Sequence, residues 1–124
     1  MANNIYLMVD EKKDYTNIKV GFTGNFFQRV IAYGTVSPDT YCLSRVETYR
    51  KTGRELERAI HAELTSRGYT RKYSRLTGSK TEWVAIPNDD SFLTEIMEKG
   101  LLAFDACKGR KEVGGWDIVN RKAL

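Results

Sequence analysis

The stretch Ile5-Tyr6-Leu7-Met8-Val9, followed after a polar segment by Ile18-Lys19-Val20-Gly21-Phe22, decides the fold of this chain. In the first run, Ile5, Leu7 and Val9 lie on one face. In the second run, apolar residues alternate with Lys19 and Gly21. This alternation has the period of a half-buried β-strand. Segment 10–17 is rich in charge and turn-forming residues, so the two strands are predicted to form a hairpin. If their apolar residues share one core, Tyr6 and Lys19 lie together on the opposite side.

Helices and further extended segments are predicted after this hairpin. The signals are helix caps, aromatic and β-branched runs typical of strands, and apolar residues at helical spacing. The predicted elements are a helix from Asn25 to Gly34, a strand over 41–49, a helix from about Gly53 to Ser66, an extended segment over 83–86, and a third helix capped by Asp89 or Ser91. The sequence thus predicts a small α/β (α+β) domain with a three-stranded, mostly antiparallel sheet flanked by helices.

Composition narrows the class of protein. The chain has 124 residues, of which 41% are hydrophobic, and this suits one domain with its own core. No run approaches the length of a membrane span, and Cys42 and Cys107 lack the spacing of a metal site or disulfide framework. We therefore expect a soluble, cytoplasmic protein that does not bind a membrane. A net charge of +4 is compatible with a nucleic-acid partner.

The domain organisation is predicted from where these signals stop. Residues 1–100 are expected to form the main domain. Residues 101–124 are expected to form a C-terminal extension that packs on the same domain, in part through Trp116 and Ile118. The sequence gives no indication of the oligomeric state.

Four short motifs follow the predicted elements in a recognisable order. They are Ile18-Lys19-Val20-Gly21-Phe22-Thr23 in the second strand, Leu56-Glu57 and Ile60-His61 in the second helix, and Glu82-Trp83 near the late extended segment. In this order of elements, the chain resembles the GIY-YIG nuclease superfamily, and within it the T5orf172 or Mug113 type. The resemblance covers roughly residues 4 to 86.

The resemblance implies a metal-dependent endonuclease that hydrolyses DNA phosphodiester bonds with one metal ion. Glu57 would hold Mg²⁺ or Mn²⁺ through oxygen, and Arg29 would contact the scissile phosphate because its guanidinium is a permanently charged fork. Tyr33 occupies the position one turn after the arginine. The general base stays open among four residues: Tyr6, Lys19, Tyr33 and His61.

A basic loop after the second helix is a candidate DNA contact. Its cations would follow a phosphate backbone, while Tyr69 and Tyr73 would stack on bases, although the same composition suits a solvated loop. The candidate DNA-binding residues are Arg71, Lys72, Arg75 and Lys80.

The alternative is a module that keeps this fold but does not cleave. Asn4 stands where the superfamily has glycine, and Lys19 stands where most members have tyrosine. Such a module would bind DNA or a protein partner, for example as a phage-encoded inhibitor of a host enzyme. A phage setting would place either version in the cytoplasm of the host cell.

Overall fold

The computed structural model describes residues 3–36 and 39–110, with the side chains of 33–36 outside that description. Five antiparallel strands form one sheet: β1 (Asn3–Glu11), β2 (Tyr15–Thr23), β3 (Tyr41–Thr48), β4 (Arg71–Tyr73) and β5 (Lys80–Pro87). Their order across the sheet is β3-β1-β2-β5-β4. The α+β class and the β1–β2 hairpin are confirmed. The side chain of Tyr33, and Trp116 and Ile118, lie outside the described residues.

The sheet is larger than the three strands that the sequence predicts. β5 pairs with the free edge of β2, and β4 adds to β5. The sequence gives no sign of β4 because Arg71-Lys72-Tyr73 has no apolar alternation. Backbone pairing with β5, which depends on the tertiary structure, makes this polar segment a strand.

Three α-helices accompany the sheet: α1 (Phe26–Val36), α2 (Arg50–Ser66) and α3 (Ser91–Lys99). Asn25 caps α1 as predicted, since its Oδ1 accepts from the Gln28 amide at 3.4 Å and its Nδ2 donates to Gln28 Oε1 at 2.7 Å. The predicted start of α2 at Gly53 is three residues late. Gly53 lies inside the helix, where a Cβ would collide with the Phe22 ring and the Thr48 methyl group.

The cap predicted for α3 is wrong by one residue. Asp90, between the two candidates, accepts from the Phe92 amide at 2.8 Å. Gly100 ends the helix with a φ of 60°, a conformation that glycine adopts without strain. Within the described ranges, no helix combines the length and the apolar character needed to span a bilayer.

The two sides of the sheet carry separate cores. The first core packs α2 and α3 against the apolar face of the hairpin, as the alternation predicts, and includes Ile5, Leu7, Ile18, Leu56, Ile60 and Ile96. The second core, under α1, consists of Tyr6, Met8, Phe26 and Cys42, with Val30 and Trp83 packed against it. Tyr6 therefore lies on the side opposite the main core, as predicted.

Residues after α3 belong to the first core. Two 3-10 turns, Gly100–Ala103 and Asp105–Cys107, follow the helix directly. Leu101, Phe104 and Cys107 are fully or almost fully buried in that core. The Leu101 amide donates to Ser44 Oγ at 3.3 Å, which ties the first turn to β3.

Candidate functional site

The candidate site lies where β5 separates from β2. The β2–β5 ladder runs from Tyr15 opposite Pro87 to Lys19 opposite Trp83. The next carbonyl of β2, that of Val20, accepts instead from Nε2 of His61, on α2, at 2.9 Å. A histidine of α2 therefore replaces a ladder partner, and this bond fixes the helix against the strand.

Glu57 lies one helical turn before His61 and faces the same groove. Its Oε2 is 3.9 Å from His61 Nε2, and its side chain is only 18% exposed. Glu82, from β5, completes a group of three in which the candidate metal-binding atoms lie within 4.8 Å of one another. The open groove has a volume of about 550 Å³, and its lining includes these three residues together with Arg58 and Arg71.

The electrostatics of this group follow from burial and like charge. Burial raises the pKa of Glu57, and the neighbouring carboxylate of Glu82 raises it further. Burial and the charge of Arg71 lower the pKa of His61, so its imidazole is neutral at pH 7. Because a carbonyl can only accept, the proton of this neutral ring is on Nε2, and Nδ1 carries the lone pair.

Lys19 reaches the site from the hairpin, whereas Tyr6 is buried in the second core under α1. Lys19 Nζ lies 3.7 Å from Glu82 Oε2, and its side chain is only 16% exposed. Tyr6 lies directly opposite Gly21 in the β1–β2 ladder. A Cβ at Gly21 would overlap the hydroxyl and ring of Tyr6, so the glycine of the second motif is what leaves room for the tyrosine.

Arg29 is placed apart from this group. It is exposed on α1 and lines a separate depression with Thr23, Asn25, Gln28 and Ala32. It is not a lining residue of the groove that holds Glu57. The arginines that line that groove are Arg58, on α2, and Arg71, at the start of β4.

The family model of the T5orf172 domain matches residues 4–98, which is most of the chain. This protein belongs to the T5orf172 domain family. The family is a GIY-YIG-like branch and a nuclease-like one, so the resemblance read from the sequence is confirmed. No curated protein and no solved structure matches the chain significantly.

Two asparagines of this T5orf172 domain have structural partners. Asn4, which stands where the superfamily has glycine, is buried and its Oδ1 accepts from Arg45 Nη1 at 3.1 Å. Asn88 Oδ1 accepts from Thr16 Oγ1 at 2.7 Å, and its Nδ2 donates to the carbonyls of Lys12 and Lys13. Asn88 thus ties the end of β5 to the β1–β2 turn.

The predicted basic residues of this T5orf172 domain separate into three settings. Arg71 lines the groove. Arg75, on the turn between β4 and β5, and Lys80, the first residue of β5, are exposed. Lys72 instead donates to Asn17 Oδ1, on β2, at 3.2 Å. The four cations therefore do not form one patch.

The two tyrosines proposed to stack on bases also differ. Tyr69 is stacked on Phe92 at 6.0 Å between ring centroids, and its hydroxyl donates to Asp90 Oδ2. Burial and this hydrogen bond raise the pKa of Tyr69 to about 12, so it stays protonated at neutral pH. Tyr73 is 66% exposed and keeps its ring accessible.

The part that Glu82 plays in this T5orf172 domain was not predicted from the sequence. Glu82 entered only as half of a Glu-Trp motif, yet it brings a second carboxylate to Glu57. The usable signal was the side-chain alternation of β5. Trp83 packs on the second core, so its neighbour Glu82 points to the other side of the strand, where α2 lies.

Proposed function

We propose that this protein is a metal-dependent endonuclease that hydrolyses DNA phosphodiester bonds in the groove between α2 and β5. The observation that carries the proposal is the meeting of Glu57, His61 and Glu82 in one groove with Lys19 and Arg71 beside them. The T5orf172 match supports the same class of protein.

The carboxylates of the groove suit Mg²⁺ or Mn²⁺. Glu57 and Glu82 offer hard oxygen ligands. Burial, and then the charge of Glu82, raise the pKa of Glu57, so a divalent cation between the two carboxylates would stabilise their ionised forms. His61 Nε2 is occupied by Val20, and Nδ1 is our proposed general base, which leaves the two glutamates as the proposed ligands. When bound, the ion would stabilise charge on the phosphate and on the leaving oxygen.

The side chains of the groove divide the remaining tasks. Arg71 would bind a non-bridging phosphate oxygen through its guanidinium fork, and Lys19, held beside Glu82, would add a second positive charge. His61 is neutral at pH 7 and has its lone pair on Nδ1, so we propose it as the general base that accepts the proton of the attacking water. Tyr6 is buried in the second core, so in this proposal it supports the hairpin by packing on Gly21 and does not touch the phosphate.

Arg29 keeps its proposed contact with phosphate, but its separate depression suggests a different place on the DNA. A backbone bound to both Arg71 and Arg29 would cross from the groove to the face of α1. The cations on the turn between β4 and β5 would bind the same polyanion further along. We also propose that the protein is encoded by a phage and acts in the cytoplasm of the host cell.

Nicking of supercoiled plasmid tests the activity. The purified protein is incubated with Mg²⁺, with Mn²⁺ and with a chelator, and we expect open circles only with the cations. Glu57→Ala and Arg71→Ala should abolish nicking, and Arg29→Ala should reduce it. Lys13→Ala is the matched control, because it removes one exposed positive charge on the β1–β2 turn, away from the groove. Nicking that survives Glu57→Ala would show that the cut comes from another site or a contaminant.

The second candidate is a domain that binds DNA or a protein without cutting. The observation that favours a binding domain is the ion pair of Lys19 with Glu82. The ammonium neutralises the carboxylate and so takes the place that a metal ion would have in the endonuclease. Retention of plasmid with no nicking in either cation, and no loss of retention in Glu57→Ala, would favour this module. In that case Lys19→Ala should expose the two glutamates and create affinity for Mn²⁺, measurable by calorimetry.

A further inference from the structure

The turn between β4 and β5 presents one aliphatic side chain almost completely to solvent. Leu76, near its tip, is 94% exposed, more than any other large hydrophobic residue that the structure describes. Tyr73, where the turn begins, is 66% exposed. Single exposed apolar residues are ordinary on protein surfaces. Two further features distinguish this turn: its hydrogen bonds and its charge.

Hydrogen bonds within the turn fix the position of Leu76. The Ser74 amide donates to the Ser79 carbonyl and the Gly78 amide donates to the Ser74 carbonyl, both at 2.8 Å. Ser74 Oγ accepts from the amides of Leu76 and Thr77 at 3.2 and 3.3 Å. Gly78 closes the turn with a φ of 72°. The leucine is thus held outward before any partner binds, which reduces the ordering cost of an interaction.

The charge around the turn indicates what kind of partner it meets. Residues 67–81 contain five cations and no aspartate or glutamate. Arg75 and Lys80 are exposed on either side of Leu76. A surface with an apolar tip and flanking cations fits a polyanion with an apolar interior, and duplex DNA with its phosphates and stacked bases has that chemistry.

The turn is also continuous with the groove. Arg71, at the start of β4, lines the groove with Glu57, and Leu76 follows five residues later. At about 3.4 Å per residue the tip lies at most about 17 Å from Arg71 along the chain, or about five base pairs of duplex. A duplex bound at Arg71 would need to extend by no more than about five base pairs to meet the turn.

We propose that the β4–β5 turn enters the minor groove of the DNA and that Leu76 inserts between two stacked base pairs. Apolar side chains that enter the minor groove in this way unstack a base step and bend the duplex. Arg75 and Lys80 bind the phosphates on the two sides of that step. This inference rests on the proposed function and adds a substrate class: duplexes with a flexible pyrimidine–purine step within about five base pairs of the cut.

Base unstacking can be measured without cleavage. The Glu57→Gln protein, in chelator, is mixed with duplexes that carry 2-aminopurine at a TA step, and the fluorescence of this base rises when it unstacks. We expect the fluorescence to rise when position 76 is leucine. The rise should be lost in Leu76→Ala and should return in Leu76→Phe. Intact duplex should bind Leu76→Ala about tenfold or more weakly, since burying a leucine contributes that much. A duplex opened beforehand by a two-base bulge should bind the Leu76 protein more tightly than intact duplex does, because it needs no further unstacking.

The matched control is Leu102→Ala, on the 3-10 turn after α3, where the leucine is 36% exposed. It should leave the fluorescence and the affinity unchanged. An equal fluorescence rise in Leu76→Ala, or no binding of any duplex by the Glu57→Gln protein, would overturn the inference. Plasmid nicking by the unsubstituted protein is scored separately. Nicking without unstacking would support the proposed endonuclease and contradict the insertion of Leu76. Unstacking without nicking would support the insertion of Leu76 by a domain that binds DNA and does not cut it.

Discussion

The side of the sheet that faces α2 and α3 buries far more of the chain than the side that faces α1. Among the described residues, the first core holds twenty buried members and the second holds four. On α1, Phe27 is 64% exposed and Ile31 is 69% exposed, whereas Leu56 and Ile60 of α2 are fully buried.

The residues proposed for catalysis therefore lie on helices that differ in how well they are packed against the sheet. Glu57 and His61 stand on the helix that anchors the main core, and His61 is bonded to the sheet itself. Arg29 stands on the helix with the smaller core. Well-packed elements hold side chains within narrow limits, so the first side is suited to chemistry and the second to a looser contact with the substrate.

The largest expected effect is on folding stability. Leu56→Ala should lower the free energy of unfolding by about 2–5 kcal/mol, because it leaves a cavity in the main core. Phe27→Ala, on the outer face of α1, should lower it by less than about 1 kcal/mol. Urea denaturation followed by circular dichroism measures both. Equal losses would show that α1 contributes as much to the fold as α2.

Glu57→Gln should separate activity from stability on the better-packed side. Loss of a proposed metal ligand should reduce nicking about 100-fold or more, since a bound cation would contribute several kcal/mol to the transition state. Stability at pH 7 should not fall. The pKa of Glu57 is raised in the folded protein, so its ionised form costs stability above that pKa, and glutamine removes the cost.

The same substitution predicts a pH dependence. At pH values below the unfolded pKa of about 4.3 the carboxyl is protonated in both states, so any advantage of the glutamine variant should disappear there. Denaturation of both proteins at pH 7 and pH 4 measures the difference. A variant that is less stable than the parent at pH 7 would mean that the ionised carboxylate stabilises the fold, contrary to the repulsion described for Glu82.

Gly21→Ala tests the contact between the hairpin and the second core. The new Cβ would overlap Tyr6, so the ring must move, and we expect a loss of about 1–3 kcal/mol in unfolding free energy. Gly24→Ala is the matched control, because its Cβ would lie 3.4 Å from Asn3 Oδ1, at ordinary contact. Comparable losses in the two variants would show that Tyr6 adapts without cost.

The smallest effect is a difference in thiol reactivity between the two cores. Burial raises the pKa of Cys107 to about 12, so at pH 8 only about one molecule in ten thousand carries the thiolate. In the Cys42→Ala variant, Cys107 should react slowly with a thiol reagent until urea unfolds the protein. In Cys107→Ala, Cys42 should react faster, because a smaller core covers it. The reverse order would contradict the comparison of the two sides.

Much of the fold was predictable because its signals are local. The alternation at Ile5, Leu7 and Val9 fixes which face is buried, and the cap of α1 depends on residues three apart. β4 escaped prediction because a polar triplet becomes a strand only when another strand lies beside it. Gly53 escaped for a similar reason, since the close approach of Phe22 explains it better than a helix start.

The candidate site was predictable in its residue types more than in its arrangement. Glu57 and His61 four residues apart must share a helix face, and the structure places both in one groove. The distance between Glu57 and Glu82 depends on where β5 leaves β2, which no local pattern records. The presence of Arg71, and not Arg29, in that groove has the same origin.

By itself the sequence determined the α+β class, the β1–β2 hairpin, the two sides of the sheet and the T5orf172 family, because these follow from side-chain periodicity and motif order along the chain. Only the tertiary structure decided which charges meet. Coulombic and metal-binding interactions depend on distances of a few ångströms between residues far apart in sequence. Those distances are set by how α2 and β5 pack together.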